Sequence, residues 1–275
     1  NMLTQATDFL ESPSVFIGVP AMNETNLFGL VDAYKSSYAG NFDEEVQIVI
    51  YHNSKDLQNL DPNVVASVEQ VRKLPNVVIL EEEVPAYNTT GMAKKVTSDL
   101  ILRLIGPDRN IPIVMSDADV VEVSDGLIEQ LIDDLELPKR YAAAPEFDYG
   151  SIYAEKYPVL GLLWNIRYDM ALAETKLRGA DSRHMTYGMC YAIKPKTLAY
   201  VGGIKPMEQF EDTYLTKELK NMTATNAKVL SNQEATHPVA KTNLRGGYVR
   251  IIPDREIEDL RRGNNLWSRW LEKRA

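Results

Sequence analysis

Between residues 14 and 120 the chain alternates short runs of β-branched apolar residues with stretches whose apolar residues recur every three or four positions. That alternation is what a parallel sheet covered by helices requires, and it excludes most all-helical and all-strand folds. Val15 to Val19 reads as a strand. From Glu24 onward, Leu27, Leu30, Val31, Tyr34 and Tyr38 give the next segment one apolar helical face. Val46 to Tyr51 is a second strand, after which Asp61-Pro62 reads as an N-cap with proline in the first helical position and Val64, Val65, Val68 and Val71 as the buried stripe. A third strand at Val77 to Leu80, a helix from Gly91 to Ile105 buried through Val96, Leu100, Ile101 and Leu104, and a fourth strand at Ile111 to Met115 continue the series. Ser124 is the expected cap of a further helix carrying Leu127, Ile128, Leu131, Ile132 and Leu135. Beyond it the alternation loosens. Strands are expected at Tyr141 to Ala144, Tyr187 to Ile193 and Ala227 to Leu230, and helices at Val159 to Thr175, Asp212 to Leu219 and Arg255 to Leu271.

Charge narrows the partners. A formal charge of −9 supplies no basic face on which a nucleic acid could release its counterions. An acidic chain still binds a nucleotide diphosphate when a divalent cation stands between carboxylates and phosphates. Cys190 is the sole cysteine, so neither an intrachain disulfide nor a thiolate metal cluster is available, which fits a reducing, cytoplasmic setting. No apolar run approaches the roughly 20 residues that cross a bilayer. Trp267 and Trp270 among Arg261, Arg262, Arg269 and Lys273 leave peripheral membrane contact open.

Asp117-Ala118-Asp119 directly follows the fourth strand, and ligands of open parallel sheets gather beyond the carboxyl ends of the strands. If the backbone stays extended there, alternation sends both carboxylates to one side. Two hard oxygen ligands of this kind suit Mg²⁺ or Mn²⁺ shared with substrate phosphates. The bland alternative is a solvated turn. A second constellation, Gly202-Gly203-Ile204 followed by Glu211-Asp212 at the start of a helical pattern, places a candidate general base, Asp212, in reach of an acceptor hydroxyl. Both acids would equally complement a helix dipole. Lys94 or Lys95 is a candidate for a donor diphosphate, and Arg245 with Gly246-Gly247 for a basic closing loop, whereas exposed lysines on a helix need no such role. Trp164 and Tyr168 are a candidate acceptor platform or an ordinary buried aromatic stripe. His52 and His184 read as structural or surface residues.

In this order the motifs resemble those of glycosyltransferase family 2 and its GT-A relatives. Val19-Pro20-Ala21-Met22-Asn23-Glu24 is similar to the opening strand-to-helix motif and Ser116-Asp117-Ala118-Asp119 to the metal motif. Gly188 to Ile193 through Val201-Gly202-Gly203 is similar to the acceptor-side strand and loop, and Glu211-Asp212 to the acidic pair that holds the base. The resemblance implies a GT-A fold, a Rossmann-like mixed, mainly parallel sheet flanked by helices. It also implies a UDP-sugar or GDP-sugar donor, a sugar or other hydroxyl acceptor, Mn²⁺ or Mg²⁺, and inversion at the anomeric carbon. It places Pro20, Asn23 and Glu24 near the nucleotide, Asp117 and Asp119 on the metal, and His237 as a third metal ligand. After the second strand the family's base-contacting Asp is replaced by Tyr51-His52-Asn53-Ser54, where Tyr51 could stack on a base and Asn53 hydrogen-bond to one. The expected organisation is a single domain over 1–275, with a nucleotide-binding half at about 14–120, an acceptor-side half at about 121–254 and a C-terminal helix at 255–275. Competing readings are a retaining GT-A enzyme, a nucleotidyltransferase, and an inactive sugar-nucleotide-binding GT-A domain.

Overall fold

The structure, a computed structural model, describes residues 9–84, 89–106, 108–137, 141–147, 190–207, 211–223 and 239–242. Its strands are β1 (Val15–Ala21), β2 (Val46–Ser54), β3 (Val77–Glu83), β4 (Ile113–Ser116), β5 (Val120–Val123), β6 (Ala142–Ala143), β7 (Glu146–Phe147), β8 (Cys190–Ile193) and β9 (Val239–Thr242). Its helices are α1 (Leu27–Ser37), α2 (Phe42–Glu45), α3 (Pro62–Val71), α4 (Thr90–Ile105), α5 (Leu127–Glu136), α6 (Pro195–Tyr200) and α7 (Glu211–Thr223). A six-stranded sheet runs in the order β3-β2-β1-β4-β8-β6, parallel from β3 to β4 and antiparallel at β8 and β6. A smaller sheet runs β5-β9-β7. The parallel strands with their covering helices are what the alternation predicts, and the mixed, mainly parallel sheet as a whole is what the resemblance implies.

Helices cover both faces, which is why the parallel strands are apolar on both sides rather than alternating. On one face Val15, Ile17 and Val19 pack with Leu30 and Tyr34 of α1, Val64 and Val68 of α3, and Leu131 of α5. On the other, Phe16, Val49 and Tyr51 pack with Leu100 and Ile101 of α4 and with Leu198, Leu215 and Leu219 of α6 and α7. The chain builds outward from β1 to β2 and β3, then α4 carries it back across the sheet to β4 on the other side of β1. Strand order therefore reverses between β1 and β4, and the crevice beyond their carboxyl ends is the position where such sheets bind ligands.

Local signals held in some places and not in others. Asp61 caps α3 as its spacing implies, its carboxylate accepting from Asn63 N at 2.8 Å. Val65, expected in the buried stripe, is exposed, and Ser67 takes the inward position because its hydroxyl accepts from Leu27 N at 2.8 Å and joins α3 to the start of α1. Ser124 does not cap α5: a short strand, β5, intervenes after the turn, and Gly126 at φ 68° is the N-cap. The helix expected at 159–175, the strand at 227–230 and the helix at 255–271 lie outside the described residues. No helix among the described residues is long and apolar enough to cross a membrane.

β3 is an edge strand of the larger sheet and ends in Glu81-Glu82-Glu83, the kind of charge that discourages edge-to-edge pairing. Glu81 also holds α3 to the sheet, with Arg72 Nη2 at 2.6 Å from one oxygen and buried His52 Nδ1 at 3.3 Å from the other. Burial pulls the Glu81 carboxyl upward, but the hydrogen bonds from Arg72 and His52 outweigh it and hold it below its ordinary 4.5. A carboxyl lowered on folding stabilises the protein fully above its unfolded value, and that stabilisation fades as pH falls through the folded one. Glu81→Gln is therefore expected to lower stability in urea unfolding at pH 7, with the difference from the parent shrinking as pH drops below about 4.5. An unchanging difference across that range would contradict the assignment.

Candidate active site at the β1/β4 crevice

Two packing features bring α4 close beneath the crevice. Thr89 caps it, accepting from Met92 N at 3.1 Å, and Gly18 leaves room for it on β1, where a Cβ would sit 2.8 Å from Ile101 Cδ1 and 2.9 Å from Met115 Sδ. The first turns of α4 then deliver Lys94, which is 2% exposed, to the end of β4. Its Nζ lies 3.2 Å from Asp117 Oδ1 and 2.9 Å from Glu211 Oε1. Asp117 is 1% exposed and Glu211 7%. A buried ammonium between two buried carboxylates gives each ion an oppositely charged partner within contact distance, which is what makes desolvated charge tolerable.

The carboxyl end of β4 is fixed from the opposite face of the sheet. Tyr34 of α1 donates to Ser116 Oγ at 2.8 Å, and Ser116 in turn donates to the Asp117 carbonyl at 3.1 Å. Cys190 Sγ of β8 lies 3.5 Å from the same phenol oxygen. Burial pushes the Cys190 thiol up to about 12, and burial is likewise the main reason the Tyr34 phenol stands well above its usual value. Both stay neutral and serve as packing and hydrogen-bonding groups. The strand does not stay extended through the motif: it ends at Ser116, and Ala118-Asp119 form a turn into β5. The turn, rather than strand alternation, sets the placement of Asp119, which is 3% exposed.

Across the antiparallel β4–β8 pair, Tyr191 stands opposite Met115. Its phenol is held well above its normal value first by burial and then by the negative charges of Glu211, Asp212 and Asp117. Glu211 and Asp212 open α7, where acidic side chains complement the helix dipole, and Thr216 Oγ1 donates to the Asp212 carbonyl at 2.9 Å. The dipole reading of this pair is incomplete, because Glu211 reaches across to Lys94. Gly202 at φ 79° and Gly203 at φ 76° close α6, with Gly203 N donating to the Leu198 carbonyl at 2.9 Å. Two successive left-handed residues are a conformation that glycine adopts without strain, which accounts for the Gly-Gly motif.

The structure brings together Lys94, Asp117, Glu211 and Asp212, with Asp119 in the adjoining turn. Pro20 is half-buried at the end of β1. Asn23, left-handed at φ 56°, lines a cavity of about 740 Å³ at the same edge of the sheet, together with Thr25, Ser54, Asp56 and Asn59; half-buried Glu24 follows Asn23 in the chain. Tyr51 is not available for stacking: its ring is in the α4-side core and its hydroxyl donates to Glu82. Asn53, two residues on, is also buried. His52 is buried, not surface, and acts structurally through Glu81. Lys95 forms an ordinary surface pair with Asp99 at 2.8 Å. His184, His237, Arg245, Trp164 and Tyr168 lie outside the described residues, as does the Gly188-Met189 part of the acceptor motif. Tyr34 and Tyr191 are contributors with no site role legible in the sequence, since each reads as ordinary helix or strand core, and Ser116 entered only as the first residue of the Ser116-Asp117-Ala118-Asp119 motif.

Among the described residues no three His, Cys, Asp or Glu side chains converge as a complete metal cage. Lys94, Asp117, Asp119 and Glu211 comprise three carboxylates and one ammonium, all buried. The hard, anionic oxygens of Asp117 and Asp119 fit a Mg²⁺ or Mn²⁺ ion that takes its remaining ligands from phosphate and water, and they do not suit a thiophilic metal.

No family model matches the chain, and no curated protein matches it significantly. Solved structures do. A mannosyltransferase from Pyrobaculum calidifontis in complex with GDP-Man and Mn²⁺ superimposes with a TM-score of 0.54 at 14% identity, over 85% of this chain and 57% of that one. TarS of S. aureus, residues 1–349 in complex with UDP, superimposes with a TM-score of 0.52 at 11% identity, over 86% of this chain and 62% of that one. The chain thus spans less than two thirds of either neighbour. At these identities the likeness concerns architecture, and its sheet order and helical layers agree with it. The chain therefore has the GT-A fold, the architecture of these nucleotide-sugar glycosyltransferases.

Proposed function

We propose that the chain is a metal-dependent glycosyltransferase that moves a sugar from a nucleotide diphosphate to an acceptor hydroxyl with inversion. The observation that carries this reading is the buried Asp117–Lys94–Glu211 cluster at the reversal of strand order. The GDP-Man and Mn²⁺ held by the mannosyltransferase and the UDP held by TarS support the donor class and the cation. The chain works as a single domain with a nucleotide-binding half at about 14–120 and an acceptor-side half at about 121–254.

In this reading the polar cavity lined by Asn23, Ser54 and Asn59 takes the nucleoside. β2 and β4 are separated only by β1, two strand spacings or about 10 Å, a span of the order that a nucleoside diphosphate bridges. Asp117 and Asp119 hold the divalent cation, with His237 as a further ligand. A cation held by these residues would supply compensation for the negative charge on the departing diphosphate. Asp212 accepts the acceptor's hydroxyl proton as its oxygen bonds to the anomeric carbon. The bond from that carbon to the diphosphate breaks, and the nucleoside diphosphate leaves with the electron pair. Glu211, paired with Lys94, fixes the first turn of α7 so that Asp212 stays in place.

Release of nucleoside diphosphate from a panel of UDP- and GDP-sugars is the test. Release is expected with Mn²⁺ or Mg²⁺, to vanish with chelator and to return when the cation is restored. Proton NMR of the product linkage should show the opposite anomer from the donor. Failure to bind or turn over every donor in the panel would contradict the proposal.

A further inference from the structure

The Lys94 bridge joins parts of the chain with different tasks: α4 on the donor side, Asp117 at the end of β4, and Glu211 at the head of the acceptor-side helix α7. All three side chains are more than nine-tenths buried, so their mutual Coulomb interactions are screened little by solvent or salt. Asp117 Oδ1 faces Lys94 at 3.2 Å, while Glu211 holds the same ammonium more closely at 2.9 Å. A cation approaching Asp117 meets a carboxylate already engaged by a fixed positive charge.

We propose that Lys94 is a positioning residue that serves as an internal counter-ion for Asp117 and competes there with the divalent cation. Glu211 draws the ammonium away from Asp117, so the seating of α7 and the loading of the metal site are coupled. The inference rests on the assignment of Asp117 to the metal. It makes the acceptor side a determinant of cation affinity, and linkage requires the converse, that a bound cation strengthens the Lys94–Glu211 contact. The geometry has the parts this needs: one ammonium and two carboxylates, carried by three separate segments of the chain. Nothing in the coupling depends on a group changing its protonation.

Mn²⁺ binding to the full chain, measured by calorimetry and by the loss of the free-ion EPR signal, tests it without reference to turnover. Lys94→Met should bind Mn²⁺ about 10-fold more tightly than the parent, and Lys94→Arg, which keeps the charge, should stay within about 3-fold. Glu211→Gln should weaken binding about 10-fold in the parent, because Lys94 then settles on Asp117, but by no more than about 2-fold in the Lys94→Met background. Equal effects of Glu211→Gln in both backgrounds would overturn the coupling. Should Lys94→Met fail to fold, judged by circular dichroism, unchanged Mn²⁺ affinity in Glu211→Gln alone overturns it. Absence of Mn²⁺ binding in every variant, with or without UDP or GDP, would overturn the metal assignment and the inference with it. Tight but identical binding in parent, Lys94→Met and Glu211→Gln would overturn the inference alone.

Discussion

Gly91→Ala is expected to cost about 2 kcal/mol of stability and to lower transfer about 100-fold. At an ordinary helical position the change would be favourable by about 1 kcal/mol, since alanine is the better helix former. Here the new methyl would collide with the carbonyl oxygen of Met207 and sit 2.8 Å from both the Lys205 carbonyl and the Met207 amide. These are backbone atoms, which cannot swing aside as a side-chain tip does, so overpacking outweighs propensity. Either α4 lifts from the 201–207 segment or the segment moves. Since Glu211 follows Met207 by only four residues, both routes disturb the Lys94–Glu211 contact and the position of Asp212. Denaturant unfolding and turnover of the same variant check the two halves of the expectation. A variant more stable than the parent with full activity would show that this close approach has no role.

Asp212→Asn should reduce kcat by about 10²- to 10⁴-fold while leaving affinity for the nucleoside diphosphate with Mn²⁺ within about 2-fold. The amide is close in shape to the carboxylate but cannot take the acceptor's proton. The hydrogen bond that Thr216 Oγ1 donates to this residue goes to its backbone carbonyl and survives the change. A fall in donor affinity equal to the fall in kcat would instead identify Asp212 as part of the donor site. Unaltered turnover would place the base elsewhere in the chain.

The elements that sequence made legible are those whose stabilisation is local and periodic. α1 announces itself through its buried stripe and α3 through Asp61-Pro62, because capping and the helical repeat act within a few residues. In α4 the expected stripe holds at Leu100 and Ile101, while Val96 and Leu104 are half-buried and Lys94, Thr97 and Ser98 are buried instead. The short strands β5 and β9 carry no such mark. Four residues such as Val120-Val121-Glu122-Val123 become a strand only because a distant segment pairs with them. Ser67 illustrates the same limit: its inward position depends on Leu27 N, forty residues away. At the site, the acidic pairs could be read as motifs from their order and spacing along the chain. Lys94 was legible only as one of two adjacent lysines, and what separates it from Lys95 is tertiary, one being buried between Asp117 and Glu211 and the other paired on the surface with Asp99. Tyr51 misled for a related reason. An aromatic residue at the end of a strand suits stacking or core packing equally, and the packing of α4 over β2 decides for the core.

Calorimetric titration of UDP and GDP into the protein, with and without Mn²⁺, tests the central claim most directly when the parent is compared with Asp119→Ala. Asp117 and Asp119 holding a cation against the diphosphate predicts Mn²⁺-dependent binding of at least one nucleotide in the parent. Asp119→Ala should lose that dependence and bind at least about 10-fold more weakly, about 1.4 kcal/mol. Equal affinity in the two proteins, or binding in the parent that ignores Mn²⁺, would contradict it.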